Sequence, residues 1–309
     1  MLLLAHGAPE RLEDVPEFLL KVRGGRALPE PAVQEIVSRY RMIGSSSPLL
    51  RLTNLQAEAL SRVIALPVCV GMRNWTPSIP EAVRRLAAGG AEQVVAICLA
   101  PQNSSTSVGL YRKALGEALA QAPTGLTVDF VESWHDHPGF IAALAERMSA
   151  ALTGASGQRG TPAPVIFTAH SVPLRTIAAG DPYERQVRET SALLAQSLRL
   201  PDYRVAFQSQ GMTDEPWLGP TVEAQIDELA HAGATDVWLA PVGFVTDHVE
   251  ILYDIDILLR DYARARGITV HRPESLNASP TFIAALASIV RTRLRAVDEG
   301  LRETCLRGC

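Results

Sequence analysis

The chain has 309 residues, 47% of them hydrophobic and 20% charged, with a net charge of −4. That length suits two domains of ordinary size, and the balance is globular rather than disordered. The negative charge argues against a general nucleic-acid binder, which needs a basic surface to meet phosphates. In chain order, Met1-Leu2-Leu3-Leu4-Ala5 lacks the basic leader and long apolar core of a signal peptide and reads as a first strand. It ends at His6-Gly7-Ala8-Pro9, and a basic stretch follows with Lys21, Arg23, Arg26, Arg39 and Arg41. Gly44-Ser45-Ser46-Ser47-Pro48 precedes a helical run and suits either an anion-binding turn or a plain N-cap. Trp75-Thr76-Pro77 opens a helical pattern that closes at Gly90-Ala91, before a Val/Ile-rich strand from Val94. The longest apolar runs, such as Val94 to Ala100, fall far short of the ~20 residues that cross a bilayer. No membrane span is expected, and the expected location is the cytoplasm, where disulfides are rare.

The second half repeats the first. Thr153 to Gly160 has linker composition, which predicts domains over 1–153 and 160–309. Phe167-Thr168-Ala169-His170-Ser171-Val172-Pro173 answers Leu3-Leu4-Ala5-His6-Gly7-Ala8-Pro9, each an apolar strand ending in Ala-His. Trp217-Leu218-Gly219-Pro220 opens a helical pattern that ends at Gly233-Ala234. Pro220 to Ala234 spans 14 positions, as does Pro77 to Ala91. Pro near the start and Gly at the end mark both helices. Strands alternating with helices predict parallel sheets, so the expected fold is α/β with two Rossmann-like, doubly wound domains related by the repeat. The final helix, from about Pro280, is expected to pack back on the first half. His6 to Pro48 spans 42 positions and His170 to Pro182 only 12, so the first half carries 30 more. That insertion holds the basic stretch and follows a strand end, where open α/β sheets bind ligands; it is placed to cover an anionic one.

Two constellations can carry chemistry. His170 ends a strand, and an imidazole moves protons near neutral pH. His6 stands at the equivalent strand end. In Pro241 to Asp254, a strand runs into Gly243 and a helix is expected from Thr246 or Asp247. Asp247, Glu250 and Asp254 then fall at i, i+3 and i+7 on one face. An acidic stripe is commonly a solvated face, but this one follows a strand end. A carboxylate facing a histidine there can hold a divalent metal or move protons. Cys69 and Cys98 read as buried thiols, while Cys305 and Cys309 supply only half a tetrahedral site. Trp75, Trp134, Trp217 and Trp238 read as core before ligand platforms. Nucleotide loops and the serine-hydrolase elbow are absent from the sequence.

Together these residues resemble the ferrochelatase family. The likeness rests on Ala169-His170-Ser171-Val172-Pro173, Gly180-Asp181-Pro182-Tyr183, Gln208-Ser209, Trp217-Leu218-Gly219-Pro220 and Pro241 through Asp254. Arg39-Tyr40-Arg41-Met42-Ile43-Gly44 with Ser47-Pro48, and Leu99-Ala100-Pro101-Gln102 with Ser104 and Ser107, also match. The short, soluble coproporphyrin III enzymes are the most similar. The resemblance implies insertion of Fe²⁺ into a porphyrin in haem biosynthesis, with His170 and Glu250 as the catalytic pair facing each other across the ring. His170 and Glu250 are then candidate metal contacts, joined by the His6 imidazole, while Arg23, Arg26 and Arg39 of the basic insertion, with Ser47 and Tyr111, are candidate substrate contacts, a solvated loop being the alternative for the arginines. Asp247 and Asp254 are an accessory acidic path. Fe²⁺ is a substrate, and no resident cofactor is required. The two tail thiols are too few for a four-cysteine iron–sulfur cluster. Partners implied are the porphyrin, Fe²⁺ and neighbouring haem-pathway enzymes. Three positions depart from the family: His6 stands for a Tyr, Asn74 for a frequent His and Leu258 for an acid. Rival readings are a chelatase for a sirohydrochlorin-type ring and a non-catalytic porphyrin carrier.

Overall fold

The computed structural model describes residues 1–122, 125–155, 163–211 and 214–307, without the side chains of 154–155 and 296–307. The linker residues 156–160 and Cys309 lie outside that description, as does the Cys305 side chain.

The first half runs β1 (Leu2–Ala5), α1 (Val15–Val22), α2 (Glu30–Met42), α3 (Leu49–Ile64), β2 (Cys69–Met72), α4 (Ile79–Ala88), β3 (Gln93–Cys98), α5 (Val108–Ala120), β4 (Thr127–Val131) and α6 (Pro138–Ala155). The second runs β5 (Val165–His170), α7 (Leu174–Ala178), α8 (Tyr183–Leu198), β6 (Arg204–Gln208), α9 (Val222–His231), β7 (Asp236–Pro241), α10 (Val249–Leu252), α11 (Arg260–Arg264), β8 (Thr269–His271) and α12 (Pro280–Arg307).

The central strands are apolar on both faces because helices cover both faces of a parallel sheet. Leu2, Leu3 and Leu4 are fully buried, as are Ile166 and Phe167. Both four-stranded sheets are parallel and share one order, β2-β1-β3-β4 in the first half and β6-β5-β7-β8 in the second. The repeat therefore extends to topology. It also reaches individual bonds. Leu99 N–H donates to the Leu4 carbonyl as Val242 N–H donates to that of Thr168, each at 2.8 Å. The helices α3 and α8 both follow a proline and end on a left-handed residue, Ala65 (φ 56°) and Arg199 (φ 54°).

One expected boundary moves. Pro77 and Pro220 do not open their helices. Each precedes the N-cap residue, Ser78 or Thr221, whose hydroxyl accepts a helix N–H. The backbone carbonyls of both prolines instead take N–H groups from the sheet, those of Met72 and Phe207.

The insertion forms α1 and α2, where the second half has only the single turn of α7. Val15, Val33, Val37 and Tyr40 give it a small core, and Val249 packs against that core. The insertion thus docks on the start of α10. α12 lies on α3 and α6 through Phe282, Leu286 and Val290. Leu3 and Ile97 of the first sheet and Phe167 and Ala240 of the second belong to one continuous core with these residues. The lobes share an interior rather than each owning a sealed one.

Candidate active site

Parallel strands deliver their last residues to one edge of a sheet, and the second sheet uses that edge for the site. His170 is the final residue of β5, Gln208 that of β6, and Glu250 lies in the first turn after β7. β7 must pass close to β5 to achieve this. A Cβ at Gly243 would stand 2.8 Å from that of Ala169, so only glycine fits. In the first lobe Gly7 has φ +86° and lies against Trp75, which turns the chain sharply after His6.

His170 Nε2 stands 3.6 Å from Glu250 Oε1. The other carboxylate oxygen meets His248 Nε2 at 3.4 Å. One carboxylate is therefore held between two imidazoles. His170 Nδ1 donates to the Ser171 carbonyl, which turns Nε2 toward the carboxylate. Tyr183 braces the same residue, its hydroxyl donating to the His170 carbonyl at 2.8 Å. His248 Nδ1 donates to the Thr246 carbonyl at 2.9 Å. Both His170 and Glu250 keep about a third of their side-chain surface open, 35% and 32%. They face accessible space.

Burial opposes charge on Glu250, but the imidazoles of His170, His248 and His6 outweigh it and hold the carboxyl at about 2. Burial also opposes charge on His248, and there the hydrogen bond and charge of Glu250 win, raising its pKa. His6 behaves differently. Burial, then the nearby Arg73 guanidinium, lowers it to about 4, so it is neutral at physiological pH. Its Nδ1–H donates to the Gly7 carbonyl at 3.0 Å, and Nε2 accepts from the Asn74 amide at 3.0 Å. The lone pair that a metal would use is thus presented by the tautomer and met by Asn74.

The expected acidic stripe breaks apart. The helix begins at Val249, with His248 extended before it (φ −160°, ψ −173°), so Asp247 precedes the helix altogether. Its oxygens accept from Ser275 at 2.6 Å and Asn277 at 2.9 Å, with Arg272 at 3.5 Å. Asp247 anchors the loop toward Asn277 and is not on a face with Glu250. Asp254 does remain near Glu250, but through a π-turn over Asp254–Leu259 in which Leu258 N–H reaches back five residues to Tyr253. Burial, then the charge of Glu250, lifts Asp254 to about 6 against the opposing hydrogen bond from Ser209.

The expected substrate contacts scatter. Arg23 and Arg26 hold each other's backbone carbonyls in an exposed turn, both at 3.3 Å. Arg39 pairs with Glu35 and lies 5.3 Å from the centre of the Tyr253 ring, its buried Nε without a partner. Ser47 is buried and accepts from Leu49 N–H at 3.3 Å, but Pro48 and not Ser47 is the N-cap of α3. Tyr111 is 5% exposed in the outer core of the first lobe, under the Arg73 guanidinium at 5.3 Å. Leu258 is exposed on the π-turn. Trp134 and Trp238 are core residues, while Trp75 is half-buried beside Lys21.

Sequence reasoning assigned no role to His248, Arg73 or the Gln208–Ser209 pair. Gln208 donates to the Glu250 carbonyl at 2.9 Å, and Ser209, at φ +60°, donates to Asp254. The signal for His248 was its place two residues before Glu250, where extended backbone puts alternate side chains on one side.

Twin α/β lobes carrying a histidine–carboxylate cluster at strand ends define a chelatase type. SirB of Bacillus subtilis, solved with Fe³⁺, shares the fold with a TM-score of 0.59 at 14% identity, over 94% of this chain and 93% of that one. CbiX, described as the terminal enzyme of sirohaem biosynthesis in denitrifying bacteria, has a TM-score of 0.51 at 17% identity, over 94% and 97%. The ferrochelatase family model matches residues 1–294, and the chain belongs to that family. A ferrochelatase of Acidobacterium capsulatum is 43% identical over 95% of this chain and 94% of its own. A coproporphyrin III ferrochelatase of a Geobacillus strain is 35% identical over 96% and 97%. The protein is accordingly a metal chelatase of haem biosynthesis, with a porphyrin and iron as substrates.

Proposed function

We propose that this chain inserts Fe²⁺ into coproporphyrin III, with His170 and Glu250 as catalytic residues. The observation that carries the reading is the Glu250 carboxylate held ionised between His170 and His248 at the cleft edge of the second lobe. One further fact supports the tetra-carboxylate substrate. The insertion that docks beside Glu250 carries Lys21, Arg23, Arg26, Arg39 and Arg41, and such groups bind carboxylates by charge-assisted hydrogen bonds. No helix among the described residues is long and apolar enough to cross a membrane.

In the reaction two pyrrole N–H bonds break, four Fe–N bonds form and two protons leave. His170 accepts a pyrrole proton at Nε2. Glu250, already charged, attracts Fe²⁺ and helps displace its water, and the second pyrrole proton also leaves through His170 once the first has passed to solvent. Asp254, near the pH at which it titrates, suits the outward proton path. Binding energy at the propionates offsets the cost of bending the ring. The scheme requires no resident cofactor.

Anaerobic assays with Fe²⁺ and either coproporphyrin III or protoporphyrin IX test the substrate. A higher kcat/KM for coproporphyrin III is expected. A preference for protoporphyrin IX in the purified protein overturns the assignment.

A further inference from the structure

A second group of metal-ligand side chains, sharing no residue with the porphyrin site, lies across the seam between the lobes. His135 and Asp136 sit in the loop from β4 to α6, and Glu189 projects from α8 of the other lobe. One ligand atom from each lies within 4.8 Å of the others. His135 Nε2 is 3.0 Å from Glu189 Oε2. Two donors on one zinc ion, each at 2.0–2.1 Å, stand about 3.3 Å apart, so the spacing suits a shared cation. His135 is only 8% exposed, whereas the two carboxylates are open to solvent, which leaves room for entry and water ligands.

The protons at His135 can be assigned. Ser133 Oγ lies 2.7 Å from His135 Nδ1 and 3.1 Å from both the Pro101 carbonyl and Gln186 Oε1. Those two oxygens only accept, so the hydroxyl proton goes to them, and Nδ1–H donates to Ser133. Nε2 is then the nitrogen that faces Glu189. A bare lone pair and a carboxylate at 3.0 Å repel, and a positive charge between them resolves the conflict. An orienting partner on the far ring nitrogen is also what metal-binding histidines use. Asp136 lies beside the other ring nitrogen, its Oδ1 3.9 Å from Nδ1, but within the same 4.8 Å group, and its exposed side chain would turn to reach the ion. The Arg185 guanidinium also reaches Glu189 Oε2, at a longer 3.5 Å and from an exposed position.

We propose that His135, Asp136 and Glu189 bind a first-row divalent cation such as zinc, which pins the two lobes together at the seam. One imidazole and two carboxylates match that class of ion. The site is independent of the porphyrin chemistry.

Zn²⁺ is the probe. The full chain carrying His170→Ala and Glu250→Gln, which disables the porphyrin site, is stripped with chelator and dialysed against Zn²⁺. One zinc per chain and a thermal midpoint that rises with zinc are expected. Adding Glu189→Gln should remove both effects, and adding Ser133→Ala should weaken zinc binding about 10–100-fold. Glu189→Gln alone should insert iron at the wild-type rate. Equal zinc content with and without Glu189→Gln overturns the proposal. So does a Glu189-dependent midpoint that follows pH and ignores zinc, since a protonated imidazole then fills the gap.

Discussion

Glu250 stays charged because imidazoles on both sides outweigh its burial, and that charge sits beside His170, whose side chain is also about one-third open. Loss of proton transfer typically costs ~10²–10⁴-fold in rate. We expect His170→Ala and Glu250→Gln each to lower kcat by about that factor while porphyrin binding, read by absorbance, survives. Turnover near normal in His170→Ala would leave the histidine structural. Asp254 offers a test through stability. Its folded pKa of about 6 exceeds the free value, so folding favours the protonated form. The associated stability is complete below about pH 4 and lost as pH rises through about 6. Asp254→Asn should thus be more stable than wild type at pH 7.5, by ~1–3 kcal/mol, and show no gain at pH 4. A gain that persists at pH 4 refutes the burial argument. The proximity of His170 to Glu250 was legible because the ends of adjacent parallel strands meet at one edge of the sheet. Asp247 was misread because sequence periodicity cannot reveal that the helix starts two residues later, behind an extended His248.

Between elements, close backbone approach sets the site. Gly243 lets β7 pass Ala169, one residue before His170. Gly243→Ala should push the strand ends apart, cost ~1–3 kcal/mol and depress kcat/KM as well as the thermal midpoint. Unchanged kinetics in a destabilised variant would show that His170 does not depend on that contact. The repeat, and with it the paired helices α4 and α9, could be read from matched Ala-His strand ends and equal spacings. The π-turn could not, since Asp254–Leu259 has the composition of an ordinary amphipathic helix. Side chains at the end of β6 and just beyond it bond to this segment, Gln208 to the Glu250 carbonyl in α10 and Ser209 to Asp254 at the start of the π-turn.

Across the whole molecule the sequence suggests two domains, and the structure shows two sheets around a shared interior. That sharing was illegible because every apolar residue reads as core without stating whose core it joins. Polar contacts reinforce it. Gln102 donates to Thr190 and to the Val242 carbonyl, both at 3.1 Å, and Gln56 donates to Thr246 at 2.8 Å. Gln102→Leu should cost ~1–3 kcal/mol and lower one common melting transition rather than uncouple two. Two separate transitions in wild type would contradict a common core. Lobes joined in this way cannot swing like jaws, because hinge motion needs a weakly packed interface. The cleft is then a mould and not a press. The macrocycle is what bends, against fixed walls, and small-angle scattering should record the same molecular dimensions before and after the ring is seated.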